Sequence, residues 1–156
     1  MPQDSFQRFV DQHPALFAAF FALYFIGLWV LVSTFISLIG GWFSLAKLYR
    51  TRVPFEGVKF RLWTCQMRWR THYSNVITTG ANQEGLYLTT MFLFRFKHPP
   101  LFIPWTEIRV QRTKGWLFEY VTFALGRELA IPLRIGRKPA ERLKTMAGVG
   151  WPVEDT

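Results

Sequence analysis

A long segment without a charged residue constrains this chain more than any other feature. No Asp, Glu, Lys or Arg occurs between Asp11 and Lys47. Within it, residues 15–41 read ALFAAFFALYFIGLWVLVSTFISLIGG, 27 residues of almost unbroken apolar character. About 20 such residues allow a helix to cross the hydrocarbon core of a bilayer. We therefore predict a transmembrane helix over 15–41, preceded by a short extracytoplasmic segment, 1–14.

Two other interpretations of the apolar segment fit the residues less well. A core helix of a soluble protein needs a polar face, and residues 15–41 have none. A cleaved signal peptide has a basic leader, whereas the residues before this segment carry one Arg against two Asp. The segment is also roughly twice as long as the apolar region of a typical signal peptide.

Basic residues on the two sides of the segment predict its orientation. Only Arg8 precedes it, whereas Lys47, Arg50, Arg52, Lys59 and Arg61 follow it closely. By the positive-inside rule, the C-terminal part lies in the cytoplasm and the N-terminus outside. We thus expect a single-pass protein of the inner (plasma) membrane. Aromatic and basic side chains just after the span are expected to anchor it at the membrane interface: Trp42, Lys47, Tyr49, Arg50 and Arg52.

Beyond the span, a short linker leads into a pattern typical of β-strands. Pro54 and Gly57 break the chain, so 42–57 is predicted to be a juxtamembrane linker that keeps the next domain near the membrane. From Lys59 onward, apolar and polar residues alternate with a period of two. Residues 59–71 predict one long strand, with one face formed by Trp63, Cys65, Met67 and Trp69.

The later residues predict further short strands and a closing helix. Turns are expected at Gly80–Gly85 and at Pro99–Pro100, because proline cannot continue a strand ladder. Between these turns, the apolar residues of one strand and its neighbour are expected to be Leu86, Leu88, Phe92, Phe94 and Phe96. Other strands are predicted over 101–103, 108–111, 116–125 and 128–135. A helix is predicted from Pro139, with Gly148 ending it.

Together these elements predict a membrane-anchored α+β protein. It comprises one N-terminal transmembrane helix and a small antiparallel β-barrel or sandwich of about six or seven strands with a C-terminal helix. The β domain is expected over 58–148, and 149–156 is expected to be an acidic tail. The closing helix can cover open edges of such a domain.

Two short motifs in the β region resemble a known family. Residues 84–88, EGLYL, and 101–108, LFIPWTEI, are similar to the pattern of bacterial pleckstrin-homology-like and GRAM-like domains. The resemblance extends from Tyr73 to Ala147, about half of the chain, and includes the context NVITTGANQEGLYL and the closing helix. It implies a PH-like fold that binds phosphoinositides, other acidic lipids or proteins in different members.

Residues that could perform chemistry are few and dispersed. The three histidines and Cys65 show no metal-ligand spacing, and the turn at Gly80–Gly85 lacks the Lys-Ser/Thr ending of a phosphate loop. Glu107 is expected to accept backbone N–H bonds at a turn. Glu119 is expected on the apolar face of its strand, either paired with an arginine or at a bulge. We expect no catalytic residue, metal or cofactor, and no enzyme activity.

Basic residues provide the strongest remaining signal. From Gly41 to Lys144 there are 18 basic and 6 acidic residues, a net charge of +12. A domain held near the anionic inner leaflet would be drawn to it, and the same location makes nucleic acid an unlikely partner. Positive-inside bias alone would produce a similar charge. The predicted surface for a lipid or partner comprises Lys59, Arg61, Arg68, Arg70, Arg95, Lys97, Arg109, Arg112 and Lys114.

Two functions fit this pattern. The first is a non-catalytic membrane protein whose cytoplasmic PH-like domain binds the anionic membrane surface or a protein partner. The alternative is a structural accessory subunit of a larger membrane complex, assembled through the transmembrane helix, with self-association as a variant. Small and polar residues that could contact another helix are Gly27, Ser33, Thr34, Ser37, Gly40 and Gly41.

Overall fold

The computed structural model describes residues 12–68, 71–114 and 119–155. The chain divides into two compact units, Met1–Phe35 and Ile36–Thr156. The predicted extracytoplasmic segment lies almost entirely outside the described residues, as do Trp69 and Arg70.

The first long element is the predicted apolar helix. Helix α1 spans Pro14–Ile39 and is long and apolar enough to cross a membrane. Every side chain from 12 to 29 is exposed within the part of the chain that the structure describes. The helix stops two residues before the predicted end, because Gly41 has φ 81°, a left-handed conformation that glycine adopts at little cost.

A second, short helix follows at once and belongs to the core. Helix α2 spans Trp42–Tyr49, and the side chains of Trp42 and Leu45 are fully buried. The assignment of Trp42 to the membrane interface is therefore wrong, since the indole has no exposed surface. Its Nε1 donates a hydrogen bond to the carbonyl oxygen of Pro99 at 3.0 Å, which fixes the helix against the double-proline turn.

The remaining chain forms two sheets and a C-terminal helix, as in an α+β protein. The strands are β1 Lys59–Arg61, β2 Thr64–Met67, β3 Thr71–Ser74, β4 Ile77–Ala81, β5 Gly85–Thr90, β6 Leu101–Pro104, β7 Ile108–Lys114, β8 Glu119–Leu125, β9 Ile131–Gly136 and β10 Glu154–Asp155, and helix α3 spans Arg137–Ala147. One sheet has the order β1–β4–β5–β6, and the other has the order β10–β7–β8–β9–β2–β3. All neighbouring pairs are antiparallel except β10 with β7. Within the described residues, the sheets do not close into one barrel.

The predicted single strand over 59–71 is interrupted. Between β1 and β2 the chain passes from the first sheet to the second, and between β3 and β4 it returns to the first sheet. Hydrogen bonds from Leu62 N to Ile77 O and from Asn75 N to Trp63 O continue the pairing across this corner. The corner shifts the alternation by one residue. Leu62 is consequently buried, and Trp63, expected on the face of Cys65 and Met67, is 82% exposed.

The expected strand residues Phe92, Phe94 and Phe96 do not lie in a strand. Strand β5 ends at Thr90, and Phe92–Phe94 form one turn of 3₁₀ helix. Proline at 99 and 100 cannot donate ladder bonds, so β6 starts only at Leu101. Phe92 and Phe96 are 75% and 74% exposed, instead of packing in the core.

Other predicted elements are confirmed. The turn before β5 is stabilised by Asn82, whose Oδ1 accepts hydrogen bonds from the N–H groups of Glu84 and Gly85, both at 3.0 Å. Helix α3 buries Leu143 on its inner face and ends at Gly148. Glu119 lies on the face of the buried Val121, Phe123 and Leu125, but it starts β8, is exposed and pairs with Arg137 at 2.7 Å.

The residues predicted to be a tail are attached to the second sheet. Strand β10 pairs with β7, opposing Glu154 to Val110. The Glu154 carboxylate accepts hydrogen bonds from Arg112, from Lys144 Nζ at 2.8 Å and from Trp151 Nε1 at 2.9 Å. Bonds from Arg112 and then Lys144 lower the pKa of Glu154 to about 2.

This lowered pKa predicts how stability depends on acid. Because the folded state holds Glu154 ionised, its contribution is present above pH 4.5 and lost as the pH falls towards 2. We expect Glu154→Gln to lower the free energy of unfolding by about 1 kcal/mol at pH 7, because its partners are partly exposed. Urea unfolding at pH 7 and pH 3 measures the difference, which should shrink at the lower pH. Glu141→Gln, which loses one exposed contact with Arg112, is the control and should change less.

Candidate functional site

An open cleft of about 430 Å³ brings four cations together. Its charged lining residues are Arg50, Arg52, Lys59 and Arg95, and we name it the basic cleft. None of its lining residues within the described part of the chain is acidic. Phe55, Tyr87, Pro99 and Pro100 provide much of the remaining surface.

The end of α2 and the double-proline turn form one side of the basic cleft. Arg50 is extended after the last helical residue, and it forms an isolated bridge with Leu101. The N–H of Thr51 donates to the carbonyl oxygen of Pro100 at 3.0 Å. These two contacts hold residues 50–52 next to the double-proline turn. Arg50 and Arg52, two positions apart in sequence, therefore line the same cleft.

An aromatic pair fixes the linker that forms the other side. Phe55 is 9% exposed and stacks on Tyr87, with ring centroids 4.8 Å apart and planes 13° from parallel. A Cβ on Gly80 would lie 2.8 Å from the Phe55 ring and 2.9 Å from the Val58 carbonyl oxygen, so glycine makes room for this ring. The Nζ of Lys59 is 5.4 Å from the Tyr87 centroid and 5.8 Å from that of Phe55, within range of a cation–π contact.

None of the four cations of the basic cleft forms an ion pair with a described acidic residue, which is also true of the exposed Arg61, Arg68, Arg109 and Arg134. Across 12–68, 71–114 and 119–155, ion pairs neutralise Arg112, Arg137 and Lys144, but none involves the four cleft residues. Several like charges around one concave surface create a positive potential that favours an anion. Arginine's planar fork of donors matches phosphate and carboxylate oxygens, and lysine adds a mobile point charge.

The basic cleft combines residues from two separate predicted groups. Arg50 and Arg52 come from the predicted interface anchors, whereas Lys59 and Arg95 come from the predicted basic surface. Arg95 joins them only through the fold, because 43 positions separate it from Arg52. The sequence therefore indicates the individual basic residues of the site. The turn after β5 is what brings Arg95 close to the other three.

The other predicted site residues lie elsewhere. Arg61, Arg68 and Arg109 are exposed, whereas Lys97 is half-buried. Arg112 is held by Glu154 and Glu141. Lys47 is exposed with its Nζ 4.9 Å from the Phe43 centroid. Arg70 and the side chain of Lys114 lie outside the described residues.

Glu107 has the structural role expected for it. Its Oε2 accepts a hydrogen bond from the backbone N–H of Arg127 at 3.2 Å and another from the Tyr49 hydroxyl at 3.4 Å. Burial, followed by the negative charge of Glu107, raises the pKa of Tyr49. The half-buried Tyr49 therefore connects α2 to the turn between β8 and β9, and its role as an interface anchor stays a prediction.

A second cavity, of about 170 Å³, contains unpaired polar atoms. His98 and Tyr73 line it, with ring centroids 6.2 Å apart, and the Trp42 ring lies 5.4 Å from that of His98. His98 Nδ1 bonds the Phe94 carbonyl oxygen at 3.2 Å, whereas His98 Nε2 and Tyr73 Oη have no hydrogen-bond partner among the described residues. Burial lowers the pKa of His98 and raises that of Tyr73.

Comparisons with protein-family models, with curated proteins and with solved structures find no match to this chain. The resemblance to pleckstrin-homology-like domains accordingly stays a prediction. The features of the molecule that bear on function are the geometry and charge of the basic cleft and the apolar helix.

Proposed function

We propose that this chain is a non-catalytic, single-pass inner-membrane protein whose second unit binds anionic lipid headgroups in the basic cleft. The observation that carries the proposal is the meeting of Arg50, Arg52, Lys59 and Arg95 around one cleft without an acidic lining residue among those described. The ligand class is a phosphate-bearing headgroup, because its oxygens accept the arginine and lysine donors.

The position of the basic cleft in the chain favours a membrane ligand over a dissolved one. Arg50 follows the end of α1 by eleven residues, and most of these form α2. With the positive-inside orientation, the second unit faces the anionic inner leaflet. Each Lys or Arg close to such a surface contributes about 1 kcal/mol of attraction. Four of them in one cleft provide both attraction and a defined place for one headgroup.

The proposed fold relationship agrees with this ligand. Two largely antiparallel sheets followed by a C-terminal helix are the coarse arrangement that a PH-like domain requires. Members of that family bind acidic lipids or proteins, and the proposal assigns the lipid-binding mode to this chain. The EGLYL motif contributes Tyr87, which supports Lys59 at the cleft.

The alternative function, an accessory subunit assembled through α1, retains fewer residues that are available to contact another helix. Ser37 donates to the Lys97 carbonyl oxygen, and Gly41 packs against Ile131, so both are used within the second unit. Gly27, in contrast, has no described atom outside its own stretch of helix within 4 Å of a Cβ built on it. Cysteine cross-linking at Gly27 in native membranes would identify a helix partner. A cross-linked complex with a different protein would favour this alternative.

Lipid selectivity in a bilayer tests the proposed function. The full chain is reconstituted with spin-labelled phosphatidylglycerol or spin-labelled phosphatidylcholine, and the motionally restricted fraction gives the relative association constant. We expect the protein to prefer phosphatidylglycerol, with a preference that declines as salt is raised. Replacing all four cleft cations with glutamine is expected to reduce it by at least about fivefold, the change expected if a single one of them contributes about 1 kcal/mol.

A matched variant separates a defined site from general positive charge. Arg61, Arg68, Arg109 and Arg134 are exposed, so replacing them with glutamine removes the same charge outside the basic cleft. This control should keep most of the preference for phosphatidylglycerol. An equal loss in both variants would show that the cleft is not the site.

A further inference from the structure

We propose that the loop between β5 and β6 is an apolar wedge that inserts into the surface of the bilayer beside the basic cleft. The wedge comprises Phe92, Leu93 and Phe96. It deepens the proposed function and rests on it, because it specifies how the same face of the protein meets the lipid.

The exposure of these side chains is the first observation. Phe92, Leu93 and Phe96 are 75%, 50% and 74% exposed within five residues of chain. A compact cluster of large apolar side chains on a surface marks a contact with a membrane or another molecule. Since the chain also has an apolar helix of membrane-spanning length, we take membrane lipid as the partner of this cluster.

The loop is held in shape, which suits insertion. Its 3₁₀ turn is closed by hydrogen bonds from Phe94 N to Met91 O at 2.9 Å and from Arg95 N to Phe92 O at 3.2 Å. At its other end, the Lys97 carbonyl oxygen accepts from Ser37 Oγ at 2.8 Å. A loop already ordered in its bound shape loses little conformational freedom on binding.

The contact with Ser37 also sets the depth of the loop. Ser37 lies two residues before the end of α1, which is about 3 Å along the helix axis. A helix of 26 residues is about 39 Å long, more than the ~30 Å hydrocarbon core, so its last turn lies near the headgroups when it spans. A loop bonded to that turn is placed at the boundary between headgroups and hydrocarbon.

The charges around the wedge match this boundary. Arg95 and Lys97 alternate with the aromatic residues, and Lys97 Nζ lies 5.0 Å from the Phe96 centroid. Long basic side chains can place their stems beside apolar groups while their charges reach the phosphates. Arg95 also lines the basic cleft, so the wedge and the cleft meet at one residue.

Fluorescence of the full chain in lipid nanodiscs tests the wedge. Phe96→Cys carries an environment-sensitive NBD label in nanodiscs of phosphatidylcholine and phosphatidylglycerol in equal parts. The control, Val149→Cys, is 90% exposed beside Gly150, which packs on Gln83 at the opposite end of β5. Native Cys65 is buried, which limits labelling to the introduced thiol. Circular dichroism verifies that both variants fold.

We expect the label at 96 to emit at shorter wavelength and to be quenched by lipids with a nitroxide high on the acyl chain. The label at 149 should show neither effect. Equal quenching at the two positions would overturn the wedge. A blue shift at 96 without quenching by lipid nitroxides would also overturn it, because the loop would then be covered by protein, such as a second copy of the chain.

The wedge and the headgroup site can fail separately. Quenching at 96 together with no preference for phosphatidylglycerol would support the wedge and overturn the proposed function. A water-exposed label at 96 with the lipid preference intact would overturn the wedge and support the cleft.

Discussion

Replacing Trp42 with alanine is expected to lower the free energy of unfolding by about 3–5 kcal/mol, the range for truncating a buried aromatic residue. The side chain is fully buried in the core of the second unit. Its removal leaves a cavity beside His98 and takes away the hydrogen bond to the Pro99 carbonyl oxygen. Urea unfolding in mild detergent, followed by far-ultraviolet circular dichroism, measures the change without relying on tryptophan emission.

A second tryptophan provides a matched control. Trp63→Ala removes the same side chain from a position that is 82% exposed, and it should change stability by at most about 0.5 kcal/mol. Trp42→Phe keeps most of the ring but loses the donor to Pro99, with an expected cost of about 1–2 kcal/mol. If Trp42→Ala costs no more than Trp63→Ala, α2 does not belong to the folded core.

The second large effect is loss of stability in mild acid through His98. Because burial lowers the pKa of this imidazole, the folded state holds it neutral, while the unfolded chain binds a proton below about pH 6.5. Its contribution is therefore complete above that pH and declines as the pH falls towards the folded-state pKa. The free energy of unfolding should drop by up to about 1.4 kcal/mol per pH unit in this window.

Two histidine variants isolate this effect. His98→Asn can still donate to the Phe94 carbonyl oxygen but cannot titrate, so its stability should be lower and nearly constant between pH 7.5 and pH 5.5. His72→Gln removes an exposed histidine and should keep the slope of the original protein. Unfolding in urea across this pH range measures all three proteins. A slope that survives in His98→Asn would show that another group causes it.

Sequence alone predicted the elements whose signal is local. A charge-free apolar segment long enough for a bilayer needs no tertiary information, and α1 follows it closely. The period-two alternation also holds in β8, where Val121, Phe123 and Leu125 are buried because that face of the strand packs on the core from Val121 onward. Gly148 ended α3 as expected, since its positive φ is a local property.

Sequence could not predict the features that depend on distant partners. Trp63 is exposed because a corner between the sheets shifts the alternation of buried and exposed residues by one position. The residues near Trp63 in sequence do not predict that shift. Phe92 and Phe96 have the composition of a strand, but the prolines several residues later delay the start of β6 to Leu101. The basic cleft depends on the same turn. The sequence therefore predicts Arg95 only as part of a broad basic surface, and the fold brings it to Arg50.

The two-residue connection between α1 and α2, Gly40 and Gly41, affects how often the proposed lipid site encounters a headgroup. Gly40 has no room for a side chain, since a Cβ would lie 2.7 Å from the Tyr73 hydroxyl oxygen, and Gly41 links α1 directly to α2. If α1 spans the membrane as proposed, a domain so attached stays at the bilayer and meets headgroups at the millimolar effective concentrations of short tethers. Weak contacts would then be occupied continuously, and the cleft would act by sorting the lipids around one helix rather than by recruiting a protein to the membrane.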